Sequence, residues 1–184
     1  MIPVVFGFVL LVLVIATIVL FAMMAELSSR VPGREVANRW ARPDEQVQLG
    51  VSPATWPPRV VRQRDKDRGI VLVLSPLCES CALVAVQLAA DDGEWRDVTL
   101  LISALDEQRG LAFINEHHLG RFSWHVDEGG QWVSQNLGVN ASPTALVFGQ
   151  GRLREAYSFN DLPALRAELE KEGSGNKLAR KEVV

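Results

Sequence analysis

The sequence predicts an α/β fold, a mixed sheet flanked by helices and preceded by a single transmembrane helix. Three observations predict it. An uncharged apolar run fills residues 2–25. Buried-strand and helical patterns then alternate from Gly69 to His118, the order of a parallel α/β layer. A Gly-turned pair of strand patterns and a terminal helix pattern follow from Thr144 to Glu172.

The composition bounds the rest. The chain has 184 residues, 48% hydrophobic and 22% charged, with 19 basic residues against 22 acidic ones and a formal charge of −3. At roughly 100–200 residues per domain, it holds one globular domain and modest extras. A strongly basic nucleic-acid binder is excluded, since no positive excess is available to neutralise phosphates. Two cysteines cannot build a disulfide-dense scaffold or a four-cysteine zinc site. The mean hydropathy of +0.10 owes its height to the N-terminus.

No charge interrupts Ile2 to Ala25. About 22 helical residues rise roughly 33 Å, against about 30 Å of bilayer hydrocarbon. A cleaved signal peptide has a basic start, a shorter apolar core and a small-x-small exit. Here neither Lys nor Arg precedes the run, which leaves through Ala22-Met23-Met24-Ala25-Glu26. Residues 1–25 are therefore expected to be an uncleaved single-pass anchor, contacting the membrane through residues 2–25. Arg30, Arg34, Arg39 and Arg42 follow it, and the positive-inside rule draws such a flank to the cytoplasm.

Residues 26–68 read as a juxtamembrane connector. Pro32, Pro43, Pro53, Pro57 and Pro58 punctuate it, and no helical or strand period persists. Trp40 and Trp56 are expected to dock it on the domain. Ile70–Leu74 is a strand buried on both faces, broken by Ser75-Pro76-Leu77. A helix is expected from Cys78 to about Ala90, a second buried strand over Val98–Ile102, and a helix over Asp106–His118 with acids in its first turn. Trp124–Val126 reads as a short strand and Trp132–Leu137 as a short helix stopped by Gly138. Thr144–Phe148 and Leu153–Phe159 are strands joined through Gly149-Gln150-Gly151-Arg152. Asn160 or Asp161 caps a last helix with Leu162, Leu165 and Leu169 on one face. The domain is thus expected over 69–172, and the tail 173–184 as disordered. No internal repeat is present.

The chemistry lies in Cys78-Glu79-Ser80-Cys81. The spacing puts one thiol at a helix start, where unpaired N–H groups and the helix dipole favour a thiolate. The other lies one turn on, on the same face, and can attack a mixed disulfide at the first. Two other readings compete: a clip for a soft metal such as Cu(I) or Zn(II), or an inert pair. A closed zinc site would need two further ligands from His117, His118 and His125, and a solvated His at a helix end is the ordinary explanation for the first two.

The strand-and-motif run from Val71 to Cys81, the segment Gly138-Val139-Asn140-Ala141-Ser142-Pro143-Thr144 and the N-terminal anchor together resemble one family. The chain resembles the thioredoxin-fold, membrane-anchored thiol:disulfide oxidoreductases related to the methylamine-utilisation maturation protein, over about residues 69–172. The resemblance implies a thioredoxin-like fold, with Cys78 as attacking thiol and Cys81 as resolving thiol. It implies that Pro143 is the cis-proline beside the pair, and that Ser142, Pro143 and Thr144 bind an extended substrate chain. Pro76, Glu79 and Ser80 would modulate the pair. Two departures stand out: residues 70–74 contain no buried acid, and residues 45–68 match the family's N-terminal hairpin poorly.

The expected function is reduction or reshuffling of protein disulfides, with maturation of a client protein as its setting. No metal, bound organic cofactor or nucleic acid is involved in this reading. With no third cysteine, electrons must come from or go to a separate redox partner protein. Glu79 opposes the helix dipole near Cys78, so a moderate thiolate and a reducing or isomerase-like poise are expected. The alternatives are Cu(I) or other metal delivery by the same CxxC, or a non-catalytic assembly factor. Location divides the signals: the arginines favour the cytoplasm, while the resembled relatives act outside it. The domain is expected on the extracytoplasmic side.

Overall fold

A computed structural model describes Leu13, Thr17 and residues 39–179, with side chains as far as Lys171. The expected anchor over 2–25 lies outside the described residues except at Leu13 and Thr17. Both are helical, and the Thr17 hydroxyl donates to the Leu13 carbonyl at 2.8 Å. Among the described residues no helix is long and apolar enough to cross a membrane. Residues 26–38 of the expected connector, with Arg30 and Arg34, also lie outside the description. The chain divides into Met1–Asn38 and Arg39–Val184, and the second unit carries the sheet.

Six strands form that sheet: β1 (Ala41–Pro43), β2 (Gly69–Leu74), β3 (Thr99–Ala104), β4 (Ser123–Glu128), β5 (Thr144–Gly149) and β6 (Arg152–Phe159), in the order β1-β6-β5-β2-β3-β4. β2, β3 and β4 run parallel, while β5, β6 and β1 join antiparallel. Four helices accompany them: α1 (Glu79–Ala90), α2 (Glu107–Glu116), α3 (Gln131–Leu137) and α4 (Leu162–Ala179). The mixed α/β architecture is the expected one.

The two-sided burial of β2 has a simple cause. Leu72 and Leu74 pack with Leu100 and Ile102 against Val84, Ala85 and Leu88 of α1 and Leu165 of α4. Val71 and Val73 face the other way, into Val133 and Leu137 of α3. Alternate residues therefore enter two separate cores, and the strand reads as one apolar run. Between β5 and β6, Gln150 (φ 53°) and Gly151 (φ 75°) both take the left-handed conformation, as a two-residue turn matched to strand twist requires.

Several expectations change. From Arg39 onward, the expected connector is part of the domain. Ala41 pairs with Phe159, Val47 and Val60 are buried, and the Gln63 amide donates to the Asp97 carbonyl at 2.8 Å and to the Thr99 hydroxyl at 2.9 Å. Trp56 docks as expected, 4.9 Å from the Phe148 ring, and the Trp40 N–H donates to the Asn160 side chain at 2.9 Å. A three-residue strand and a single 3₁₀ turn at Val61–Gln63 are too short to show a period.

The expected short strand at Trp124–Val126 is twice as long, because β4 pairs with β3 from Thr99↔Ser123 to Ala104↔Glu128. The helix expected over 106–118 ends earlier, at Glu116, with His118 left-handed beyond it (φ 55°). At the C-terminus, helix continues through Ala179 into the tail expected to be disordered. Each residue added to an existing helix gains a hydrogen bond without a new nucleation cost, and ion pairs such as Arg166–Glu170 and Glu168–Lys171 support the turns before it. Residues 180–184 lie outside the description.

Candidate active site

β2 ends at Leu74 and the chain turns through Ser75-Pro76-Leu77. The Cys78 N–H closes this turn on the Ser75 carbonyl at 3.2 Å. Cys78 itself is extended (φ −109°, ψ 116°) and stands before the first helical residue rather than in the first turn. Its sulfur accepts the Cys81 N–H at 3.2 Å, so the thiol caps its own helix. That donor belongs to a helix start, where the dipole and free N–H groups favour negative charge on the capping atom.

The two thiols differ in access. Both are free, Cys78 half-buried and Cys81 buried. Cys81 has 0% exposure, and its thiol is pushed up to about 12. Burial is the main cause, and the hydrogen bond and charge of Cys78 add to it. A backbone hydrogen bond from Ser75 and a side-chain hydrogen bond from Ser142 act in the opposite direction. A substrate can therefore reach Cys78 first, with Cys81 held protonated behind it.

The second half of the site arrives from 64 residues away. The Cys78 thiol donates to the Ser142 carbonyl at 3.3 Å. The Ser142–Pro143 bond is cis, with Pro143 buried, Ser142 half-buried, and Asn140 and Ala141 exposed. Thr144 opens β5 opposite Val73, and its buried hydroxyl donates to the Ala141 carbonyl at 2.9 Å. The structure thus brings Cys78, Cys81, Ser142, Pro143 and Thr144 to one place. Pro76 and Ser80 are half-buried and Glu79 is exposed, flanking the pair along the chain.

Sequence reasoning missed three residues at this end of the sheet. Ser75 acts on both cysteines through its backbone, which no residue type announces. Leu77, beside Cys78, leaves 78% of its surface exposed, and Leu105, just past β3 at the same end of the sheet, leaves 62%. An apolar residue in a Ser-Pro-Leu break with no periodic partner was the available signal.

No acid interrupts β2, whose residues Val71–Leu74 are all buried and apolar. The histidines serve elsewhere. His117 ends α2 with its ring against Phe113, 4.6 Å between centroids. His125 lies on β4, where burial chiefly lowers its pKa, helped by Arg59 and opposed by Asp127 and Glu107. Among the described residues, no group of three or more His, Cys, Asp or Glu side chains could hold a metal ion.

The fold and the cysteine pair at a helix start define a thioredoxin-like domain. A candidate thiol:disulfide interchange protein, DsbE, from Chlorobium tepidum matches 70% of this chain and 97% of its own, with a TM-score of 0.51 at 14% identity. A candidate thioredoxin from Neisseria meningitidis matches 67% of this chain and 90% of its own, with a TM-score of 0.49 at 18% identity. A secreted Mycobacterium tuberculosis disulfide oxidoreductase homologous to E. coli DsbE matches 62% and 83%, with a TM-score of 0.44 at 16% identity. No family model and no curated protein matches the sequence. What the first of these likenesses shows is the fold.

Proposed function

We propose that this protein is a membrane-anchored thiol:disulfide oxidoreductase that reduces or reshuffles protein disulfides through Cys78 and Cys81. One observation carries the reading: an accessible thiol at a helix start, 3.3 Å from the Ser142 carbonyl, backed by a buried second thiol one turn on. The Chlorobium tepidum neighbour, described as a thiol:disulfide interchange protein, shares this fold.

The Cys78 thiolate attacks one sulfur of a substrate disulfide, forming a mixed disulfide and releasing the other sulfur as a thiol after protonation. Cys81 then attacks the Cys78 sulfur. The Cys78–Cys81 bond forms, and the second substrate sulfur leaves and takes up a proton. Two electrons pass from the cysteine pair to the substrate, and a separate redox partner protein resets the pair. Ser142 offers backbone for an extended chain, while exposed Leu77 and Leu105 offer apolar contact.

The finer parts of the proposal are the anchor over residues 2–25, a domain on the extracytoplasmic side, and maturation of a client protein. The anchor rests on the apolar run, and the other two rest on resemblance to the anchored maturation proteins. Insulin reduction by the full chain tests the chemistry, with Cys78→Ser expected to abolish it. Tight stoichiometric Cu(I) binding without reductase activity would instead favour metal delivery. Labelling of Cys78 on intact cells by a membrane-impermeant maleimide is expected, and protection until lysis would place the domain inside.

A further inference from the structure

Residues 138–143 lead into β5 with little backbone support of their own. Among the described residues, the N–H groups of Asn140, Ala141 and Ser142 have no hydrogen-bond partner. Side chains hold the segment instead. The Asn140 amide donates to the Gly138 carbonyl at 3.1 Å, and the Ser134 hydroxyl donates to the Asn140 side chain at 2.9 Å. Both bonds are exposed, so water competes for them. A third tie is sheltered. The Thr144 hydroxyl donates to the Ala141 carbonyl at 2.9 Å, and Thr144 has 0% exposure.

Thr144 is itself fixed. Its backbone is paired with Val73 of β2 on one side and Ser158 of β6 on the other, inside the sheet rather than at its edge. The tie therefore runs from a rigid strand to the residue just before Ser142. Ser142 is the residue whose carbonyl accepts the Cys78 thiol at 3.3 Å, half-buried where Ala141 is exposed. On its other side, the Pro143 carbonyl accepts the Phe159 N–H at 3.4 Å. Ser142 is thus held through both neighbours, and the hold on Ala141 is the one that depends on a side chain.

We propose that Thr144 is a positioning residue for substrate capture: its buried hydroxyl holds Ala141, and through it the Ser142 backbone, where an extended chain pairs beside Cys78. This role rests on the oxidoreductase reading and assigns Thr144 a part within it. With its own surface covered, Thr144 touches no substrate and acts through Ala141. Removing the hydroxyl leaves little unpaired. Valine has nearly the same shape without the donor and suits a strand, and the carbonyl of exposed Ala141 can turn to water. Stability should therefore hold while the placement of Ser142 loosens. A small disulfide with no peptide backbone needs Cys78 alone, whereas a protein chain needs Ser142 as well. The two kinds of substrate thus separate positioning from a general loss.

The test mixes the reduced full chain with insulin or with hydroxyethyl disulfide and quenches with acid at intervals. Alkylating the remaining thiols and weighing the intact protein gives a rate constant for each substrate. In Thr144→Val, the ratio of the insulin rate constant to the hydroxyethyl disulfide rate constant is expected to fall about fivefold, the size of one net hydrogen bond. The urea midpoint should stay nearly unchanged. Thr144→Ser, which keeps the hydroxyl, should hold the ratio within about twofold of wild type. An unchanged ratio in Thr144→Val, an equal loss on both substrates, or failure of Thr144→Ser to restore the ratio would overturn the positioning role while leaving the oxidoreductase reading intact. A Thr144→Val chain that does not fold would make the hydroxyl a support of the fold and would overturn the role as well. A wild type that reduces neither disulfide would overturn both.

Discussion

Val73 on β2 pairs directly with Thr144 on β5, and this register is what sets Ser142 against Cys78. The residue after Leu74 turns towards the helix start, while the two residues before Thr144 form the cis bond. Because the strands are antiparallel, the end of one and the beginning of the other meet at a single edge of the sheet. A shift of one residue in this ladder would turn Thr144 to the opposite face and remove Ser142 from hydrogen-bonding reach of the thiol.

Cys81 links the cysteine pair to stability at high pH. Its folded value, about 12, stands above the ordinary 9.0. Folded chain therefore keeps a proton that unfolded chain loses, and the contribution is full below pH 9 and lost as pH rises towards 12. Urea unfolding of the reduced protein should show stability falling above pH 9, and Cys81→Ala should flatten that fall. An unchanged slope in the variant would show that Cys81 is not its source.

His125 acts at the other end of the pH scale. Burial lowers its pKa from 6.5, so the unfolded chain takes up a proton that the folded chain resists. Its contribution is present above about pH 6.5 and is lost as pH falls through the folded value. Replacing His125 with Gln should lessen the loss of stability between neutral and acidic pH. Thermal melts from pH 5 to pH 8 read this directly.

Leu77 exposes 78% of its surface beside Cys78, so its loss should leave the fold nearly untouched. If a protein substrate covers it, Leu77→Ser forfeits about 1 kcal/mol of apolar burial and should raise KM roughly fivefold. A small disulfide that cannot reach Leu77 should react at the wild-type rate, and equal effects on both substrates would contradict the contact.

Asp127 holds the start of α3. Its carboxylate is 5% exposed and accepts the Trp132 N–H at 2.9 Å and the Val133 N–H at 3.0 Å. Asp127→Ala should cost about 1–3 kcal/mol, since two N–H donors, one of them buried, lose their acceptor. The urea midpoint should fall accordingly while cysteine reactivity holds, because α3 packs on the face of the sheet opposite α1.

By itself, the sequence determined what local pattern can carry. Continuous apolar runs marked β2 and β3, Gly149-Gln150-Gly151-Arg152 marked the hairpin, Asn160 or Asp161 marked the start of α4, and the cysteine spacing marked the pair and its helix. The tertiary structure decided what depends on partners far along the chain. Ala41 becomes a strand residue only because Phe159 lies beside it. Trp124–Val126 extends to six residues only because β3 offers a matching edge. Ser142 meets Cys78 across 64 residues, and Cys81 is hard to ionise chiefly because α1 holds it in a core shared with Leu72 and Leu74. Periodicity reports how a residue relates to neighbours within a few turns. Burial, hydrogen-bond partners and proton affinity are set by whatever the folded chain places against it.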